Sequence, residues 1–299
     1  MPTHKEIEDY FNSLSEKLTP EFFEQLKIAS YKRDREYPEN FSNWYSHIKD
    51  FGKFKHAEVL YNQILTLEDL EILQEEQLSK VDWNKLQEVL QPTISKMTPY
   101  KLYNLKNGCY SNKFDFETSI VDTQDIAQKL WKINYESSMK ETGGFTEVVL
   151  REFIPSDNKT PTIYHGMPLR TEVRIFYNME TKKIEYAVDY WDYDYCSQWL
   201  NITDRIVFDW YTKRPEKTTQ LEDTIDYIYK YIDTLKFDET MKGIWSIDFM
   251  LCNNKDVYEN YNGIYLIDMA RGFRSAYWDP DNLTPETKKL IEEKEQNNK

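Results

Sequence analysis

The chain has 299 residues and a formal net charge of −14. Its length holds a sizeable core and two or three linked lobes, and its charge repels phosphate backbones, which excludes a general nucleic-acid coat but not a local basic pocket. With only 8 Gly and 11 Pro, and with 8 Trp, 23 Tyr and 15 Phe, it is neither linker-rich nor disordered and has ample material for packed interiors and stacking surfaces.

Residues 1 to about 35 read as helical: Ile7, Phe11, Leu14 and Leu18 recur at spacings of three or four, and Thr19-Pro20-Glu21 has the form of an N-cap followed by a first-turn proline. The stripe suits a core contact or a partner. Residues 36 to 65 carry short strand-like pieces, Phe41-Ser42-Asn43-Trp44-Tyr45 and Ala57-Glu58-Val59-Leu60-Tyr61. Helices are predicted from Thr66 to about Leu78, opened by the capping box Thr66-Leu67-Glu68-Asp69, and from Asp82 to Leu90. Residues 1–99 thus form a mostly helical N-terminal region.

From residue 100 the texture changes. Lys101–Leu105 reads as a strand, Lys106–Lys113 as a polar loop, and Thr123–Met139 as a helix with Ile126, Leu130, Ile133 and Tyr135 facing the core, ended by Gly143-Gly144. Strands follow at Thr146–Ile154, Thr171–Tyr177, Ile184–Tyr190, Ile244–Leu251 and Ile264–Asp268, with a helix from Leu221 to about Leu235. Short polar connections such as Asn178–Lys183 predict antiparallel hairpins with packed helices, an α+β design over residues 100–285. Residues 286–299 form a charged C-terminal tail, of which Lys288 to Lys299 is expected to fray.

No run approaches ~20 apolar residues, so no membrane span is expected. Met1–Glu6 leads into a charged amphipathic segment and not an apolar signal region. Three dispersed cysteines and four scattered histidines fit neither disulfides nor a paired zinc site, and point to a reducing cytoplasm.

Four features carry chemistry. Asp248 and Asp268 end neighbouring apolar strands joined through Asn253–Asn262, which suits a hairpin with both carboxylates at one rim; they would either hold Mg²⁺ or cap turns. Ile247 and Ile267 are expected in the core, so the aspartates face the other side. Lys106 and Lys113 flank a small polar loop apt for gripping phosphates, although lysine in loops is ordinary and neither Gly-x-x-x-x-Gly-Lys-Ser/Thr nor Gly-x-Gly-x-x-Gly is present. Glu172, Arg174 and Phe176 share a strand face, where Arg174 needs an anion, either a carboxylate of the sheet or a phosphate. Tyr190-Trp191-Asp192-Tyr193-Asp194-Tyr195 lines a cleft or fills a core.

Their order is the specific signal. Lys106, then Ser111-Asn112-Lys113, Glu147–Ile154, Thr171–Phe176, Asp248 and Leu266-Ile267-Asp268 resemble the ATP-grasp fold. The resemblance is to the divergent clade named for one arginine and two lysines, related to the eukaryotic assembly factor for translation initiation factor 2. It covers roughly residues 100–280 and implies two lobes around a nucleotide cleft. It also implies that Lys106 and Lys113 contact ATP phosphates with Ser111 in their loop, and that Arg151, Glu152, Phe153 and Ile154 form a hinge whose backbone reads adenine. Arg174 would reach the triphosphate and, with Lys113, serve catalysis; Asp248 and Asp268 would hold Mg²⁺. The usual asparagine two residues after the last acidic ligand is Ala270 here, for which Asn253 or water would substitute. Arg271 and Arg274 would bind an anionic acceptor or pair with the acidic surface.

The implied activity is an ATP-dependent carboxylate–amine or carboxylate–thiol ligase acting through an acylphosphate on a protein or peptide acceptor. The alternative is an ATP-binding assembly factor with little turnover. A lysine-nucleophile nucleotidyltransferase fails on spacing at Lys106-Asn107-Gly108, and a protein kinase fails because Asp248-Phe249-Met250 lacks the glycine and no His-Arg-Asp exists.

Overall fold

A computed structural model describes residues 19–73, 77–110, 112–139, 146–157, 159–253 and 261–297. The alternating runs become β-strands and the 3.6-period runs become helices packed on them, an α+β fold. In chain order the strands are β1 (Ile48–Asp50), β2 (Lys55–His56), β3 (Val59–Ile64), β4 (Tyr103–Asn107), β5 (Ile120–Val121), β6 (Glu147–Glu152), β7 (Thr162–Ile163), β8 (Met167–Pro168), β9 (Glu172–Asn178), β10 (Lys183–Asp189), β11 (Lys236–Phe237), β12 (Ile244–Asn253) and β13 (Asn262–Arg271).

Among the described residues two larger sheets form, ordered β10-β9-β12-β13-β2 and β3-β6-β4-β5, antiparallel except where β2 joins β13. Strand pairing crosses the boundary drawn at residue 99, since β3 pairs with β6 and β2 with β13. In the first sheet Val173, Ile175 and Tyr177 of β9 and Trp245, Ile247 and Phe249 of β12 point one way, against Ile228 of the helix Pro215–Tyr231. The alternate residues face the other way. In the second, Leu105, Val148 and Leu150 pack on Leu86 and Leu90 of the helix Trp83–Ile94 and on Ile126, Leu130 and Ile133 of the helix Ile126–Met139. Val149, between two of them in β6, belongs to the core of the first sheet, so this strand ties the two packing layers together.

Local signals explain the helix starts. The Thr19 hydroxyl accepts the Phe22 amide at 3.2 Å, with Pro20 in the first turn of Pro20–Arg35. Thr66 and Asp69 cap each other reciprocally, at 2.8 and 3.2 Å, and Asp82 accepts the Lys85 amide. The stripe at Ile7–Leu18 and the stop at Gly143-Gly144 lie outside the described residues.

Two expectations are corrected here. Phe41–Tyr45 is one turn of helix and not a strand: the Trp44 amide bonds back to the Asn40 carbonyl, and the turn drops Phe41 and Trp44 together into the core. Tyr135 is exposed and stacks on Trp131 instead of joining Ile133 inside. The C-terminal segment includes the helix Pro285–Asn297, anchored near its start where buried Thr287 accepts from Asn178 at 2.9 Å and donates to Glu185.

Candidate functional site

A cleft opens between the two sheets. Its floor is the face of the first sheet opposite the core. Register places Arg174 of β9 beside Asp248 of β12, and Asp248 beside Asp268 of β13, so three charged residues form one row across three strands. Neither aspartate ends its strand; both lie well inside ten-residue strands.

A β-bulge makes this row possible. Asp248 opposes Asp268, whereas Phe249 opposes Leu266, which leaves Ile267 as the extra residue. Strict alternation assigns Ile267 to the core, but the bulge turns it with Asp268 toward the cleft, which both line. Only Ile247 of the expected isoleucine pair is in the core.

Each carboxylate already has a cation. Arg174 grips Asp248 with two parallel bonds, Nε to Oδ1 at 2.7 Å and Nη2 to Oδ2 at 2.8 Å, and donates Nη1 to the Ala276 carbonyl at 3.1 Å. Burial alone pulls the Arg174 guanidinium pKa down, but the Asp248 partnership more than reverses this and holds it above its ordinary value. Lys106 reaches across from β4 to Asp268 Oδ1 at 2.9 Å. Lys106 is no loop lysine: it lies within β4 opposite Val149 and is 1% exposed. Among the described residues no cluster of three or more acidic, His or Cys side chains has the geometry of a metal site.

Lys113 opens a 3₁₀ turn, Lys113–Ser119, and lines the cleft with its ammonium bonded to the Tyr190 hydroxyl and 4.4 Å from that ring's centre. Burial works against its charge, but Tyr190 and Asp248 hold its pKa above the ordinary value. Ser111 lies outside the described residues. Tyr190 therefore faces the cleft, while its neighbour Trp191 is core.

Ile154, Met167, Pro168, Met250 and Ile267 add apolar surface to the lining, with Arg170 among them. Here the chain leaves β6. The Arg151 guanidinium donates to the Ile267 carbonyl at 2.8 Å and to Asn104 Oδ1 at 3.0 Å, clamping the bulge. Burial lowers its pKa, opposed by Asp268. Glu152 accepts the Tyr261 hydroxyl at 2.5 Å. Phe153 and Ile154 line the cleft, and their amides donate to no protein group among the described residues.

Two charged residues of the lining carry no role in the sequence reading. Arg170 is buried, donating to the Ile154 carbonyl at 2.9 Å and to Met250 Sδ at 3.3 Å. The i, i+2 alternation that relates Glu172 to Arg174 extends back to Arg170 and was the available signal. Glu172 keeps one buried carboxyl oxygen without a partner, and burial, reinforced by Asp248, pushes its pKa up to about 7.

Ala270 lies opposite Ser246, whose hydroxyl contacts the Ala270 carbonyl at 3.2 Å and Ser275 Oγ at 2.6 Å. Asn253 cannot substitute for the expected asparagine, because it pairs with Asn262 at the far end of the hairpin. Arg274 approaches Glu39 at 3.8 Å and lies over the Tyr37 ring, and the Arg271 amide also donates to Glu39, which favours acidic pairing for this segment. No family model matches the chain, and no curated protein or solved structure matches it either.

Proposed function

We propose that the cleft binds Mg·ATP and that the chain is an ATP-dependent ligase of the ATP-grasp kind, its two sheets forming the lobes. The observation that carries the reading is one cleft whose lining combines the apolar Ile154, Met167, Pro168, Met250 and Ile267 with the charged Lys113, Asp248 and Asp268, the two carboxylates being held from behind the lining by Arg174 and Lys106. A nucleotide likewise joins an apolar base to charged phosphates. The Phe153 and Ile154 amides suit the edge of a purine held between Met250 and Ile154, and the cations suit phosphates. Asp248 and Asp268 lie side by side on one face, and Mg²⁺ takes one or two protein oxygens and fills its other positions with phosphate and water. The two carboxylates would hold the ion if it displaced Arg174 and Lys106 from them, and it would then neutralise phosphate charge there.

In this reading an acceptor carboxylate oxygen attacks the γ-phosphorus, ADP leaves, and an amine or thiol then displaces phosphate from the acylphosphate. Lys113 and Arg174 position the triphosphate and stabilise its developing charge, with no protein nucleophile required. The acceptor would be a protein or peptide. A second reading, an ATP-binding assembly factor with little turnover, is favoured by Ala270 and by the prior pairing of both aspartates.

Titration calorimetry of the full chain with ATP and Mg²⁺ tests the proposal. Saturable binding, weakened by Lys113→Met without loss of folding, is expected; no heat at millimolar nucleotide overturns it. Phosphate release that stays at the blank rate with carboxylate acceptors, despite ATP binding, selects the assembly reading.

A further inference from the structure

We propose that the cavity at the N-terminal end of the helix Pro215–Tyr231 binds a free α-amino acid, with the carboxylate at Arg170 and the helix end and the ammonium at Asp157. This cavity is not the cleft; among the described residues Arg170 alone lines both. It lies on the face of the first sheet that carries the helix. Leu251 of β12 donates its amide to the Thr171 carbonyl at 2.8 Å, and the Thr171 hydroxyl donates to Gln220 of the helix at 3.1 Å. Trp210, Tyr211 and the chain around Asp157 close the cavity. Lys113 and Asp268 lie outside it, so its occupant is neither the nucleotide nor the acceptor, and the inference does not rest on the ligase reading.

Three features call for an anion there. The N-cap of the helix is Arg214, whose side chain caps nothing, and Pro215 follows, so the positive end of the helix meets no side-chain acceptor. Arg170 is 9% exposed, and its two hydrogen bonds reach neutral acceptors, the Ile154 carbonyl and Met250 Sδ. Among the described residues no carboxylate lies within ion-pair distance of it. Burial holds its pKa below the ordinary value despite the more distant charges of Glu172 and Asp157. A buried guanidinium without an adjacent anion is costly. The Tyr211 hydroxyl is likewise buried with no hydrogen-bond partner, where buried polar groups ordinarily have one.

Charge narrows the ligand. The lining holds Lys159, Arg170, Arg214 and Lys217 against Asp157 and Glu216, and Lys217 is already paired with Asp189. The unpaired cations and acids are thus nearly balanced, which suits a ligand carrying both signs. A phosphate dianion would instead set its second charge beside Asp157 and Glu216. Asp157 is placed to receive an ammonium. Its Oδ1 accepts the Lys159 amide at 2.8 Å and the Thr160 hydroxyl at 3.0 Å, which leaves Oδ2 without a protein donor among the described residues. Burial raises its pKa, but these bonds prevail and hold the carboxyl below its ordinary range. The net charge of −14 neither attracts nor repels a zwitterion, which has no net charge of its own. Leu169, Leu251 and Trp210 supply an apolar wall for its side chain.

The test uses the full chain. A thermal-shift screen over the standard free α-amino acids at millimolar concentration selects the strongest. Titration calorimetry then compares it with its N-acetyl form, which keeps only the carboxylate, and its amide, which keeps only the ammonium. The free amino acid is expected to bind saturably, the N-acetyl form about tenfold more weakly, and the amide not at all. Arg170→Met should weaken the free amino acid by about tenfold or more, as loss of a charged hydrogen-bond partner does. Asp157→Asn should bring the free amino acid down to the affinity of the N-acetyl form and leave that form unchanged. Should Arg170→Met misfold by circular dichroism, Asp157→Asn and the analogue series on the unaltered chain decide. No binding by any amino acid, an amide that binds as well as the acid, or indifference to the substitutions overturns the proposal. So does inorganic phosphate binding more tightly than the best amino acid, or loss of amino-acid binding in Lys113→Met, which would assign the ligand to the cleft.

Discussion

The two ion pairs of the cleft use the same chemistry in different places. Arg174 and Asp248 are cross-strand neighbours within one sheet, joined by two short bonds and both largely buried. Lys106 and Asp268 meet across the gap between two sheets through a single bond, with Lys106 enclosed but the Asp268 side chain 34% exposed. The first pair is part of the sheet's own structure and persists however the sheets move. The second is a latch: it breaks if the sheets part, and its carboxylate can then turn to water. Opening the latch leaves one enclosed ammonium without its partner, whereas opening the Arg174–Asp248 pair strands two buried charges, so the latch is the less costly of the two to open.

Removing one partner from each pair should separate them. Arg174→Met leaves the Asp248 carboxylate buried without its cation, which typically costs about 3–5 kcal/mol; urea denaturation of the nucleotide-free protein should show this loss. A loss below about 1 kcal/mol would mean that Asp248 is readily rehydrated, and the contrast would fail. Lys106→Met should cost less, about 1–2 kcal/mol, because the abandoned Asp268 reaches solvent. That is still more than an exposed loop lysine contributes, which is within about 0.5 kcal/mol. A melting temperature equal to that of the unaltered chain would restore the loop description of Lys106.

Much of this arrangement was legible in the sequence, for reasons that are local. The strands around Arg174 and Asp248 announce themselves by alternation, because one face is core and the other is not. The hairpin pairing of β12 with β13 follows from two apolar runs and a polar connection. The facts that were not legible are those set by distant chain. Lys106 reads as a loop residue because the carboxylate that holds it is 162 positions away. Ile267 reads as core because a bulge inserts one residue into one strand only, and no glycine or proline marks it. Phe41–Tyr45 reads as a strand because three aromatics favour one, yet tertiary packing of Phe41 and Trp44 prevails over that propensity.

Glu172 gives the smallest and most specific test, because it lies one row along the same floor from Asp248 and lacks a cation of its own. Register puts it opposite Met250, with Asp248 two residues away on the same face of β12. Lys113 and Arg170 pull its pKa down, but burial and the Asp248 charge prevail and raise it from 4.5 to about 7. The sign of the effect follows. Below about pH 4 the group is protonated in folded and unfolded chains alike and contributes nothing to the difference between them. Between pH 4.5 and 7 the unfolded chain releases its proton while the folded chain retains it, so stability falls as pH rises, by at most about 1.4 kcal/mol per pH unit. Above the folded pKa both states are ionised and the loss is complete. Glu172→Gln stays neutral throughout, so its stability should fall less over that window than that of the unaltered chain, and the two curves should run parallel above pH 8. Denaturation midpoints measured every half unit from pH 5 to 8 read this directly. Parallel curves from pH 5 upward would mean that Glu172 is ionised in the folded protein at ordinary acidity, and that Lys113 serves as its counter-ion, as Arg174 does for Asp248.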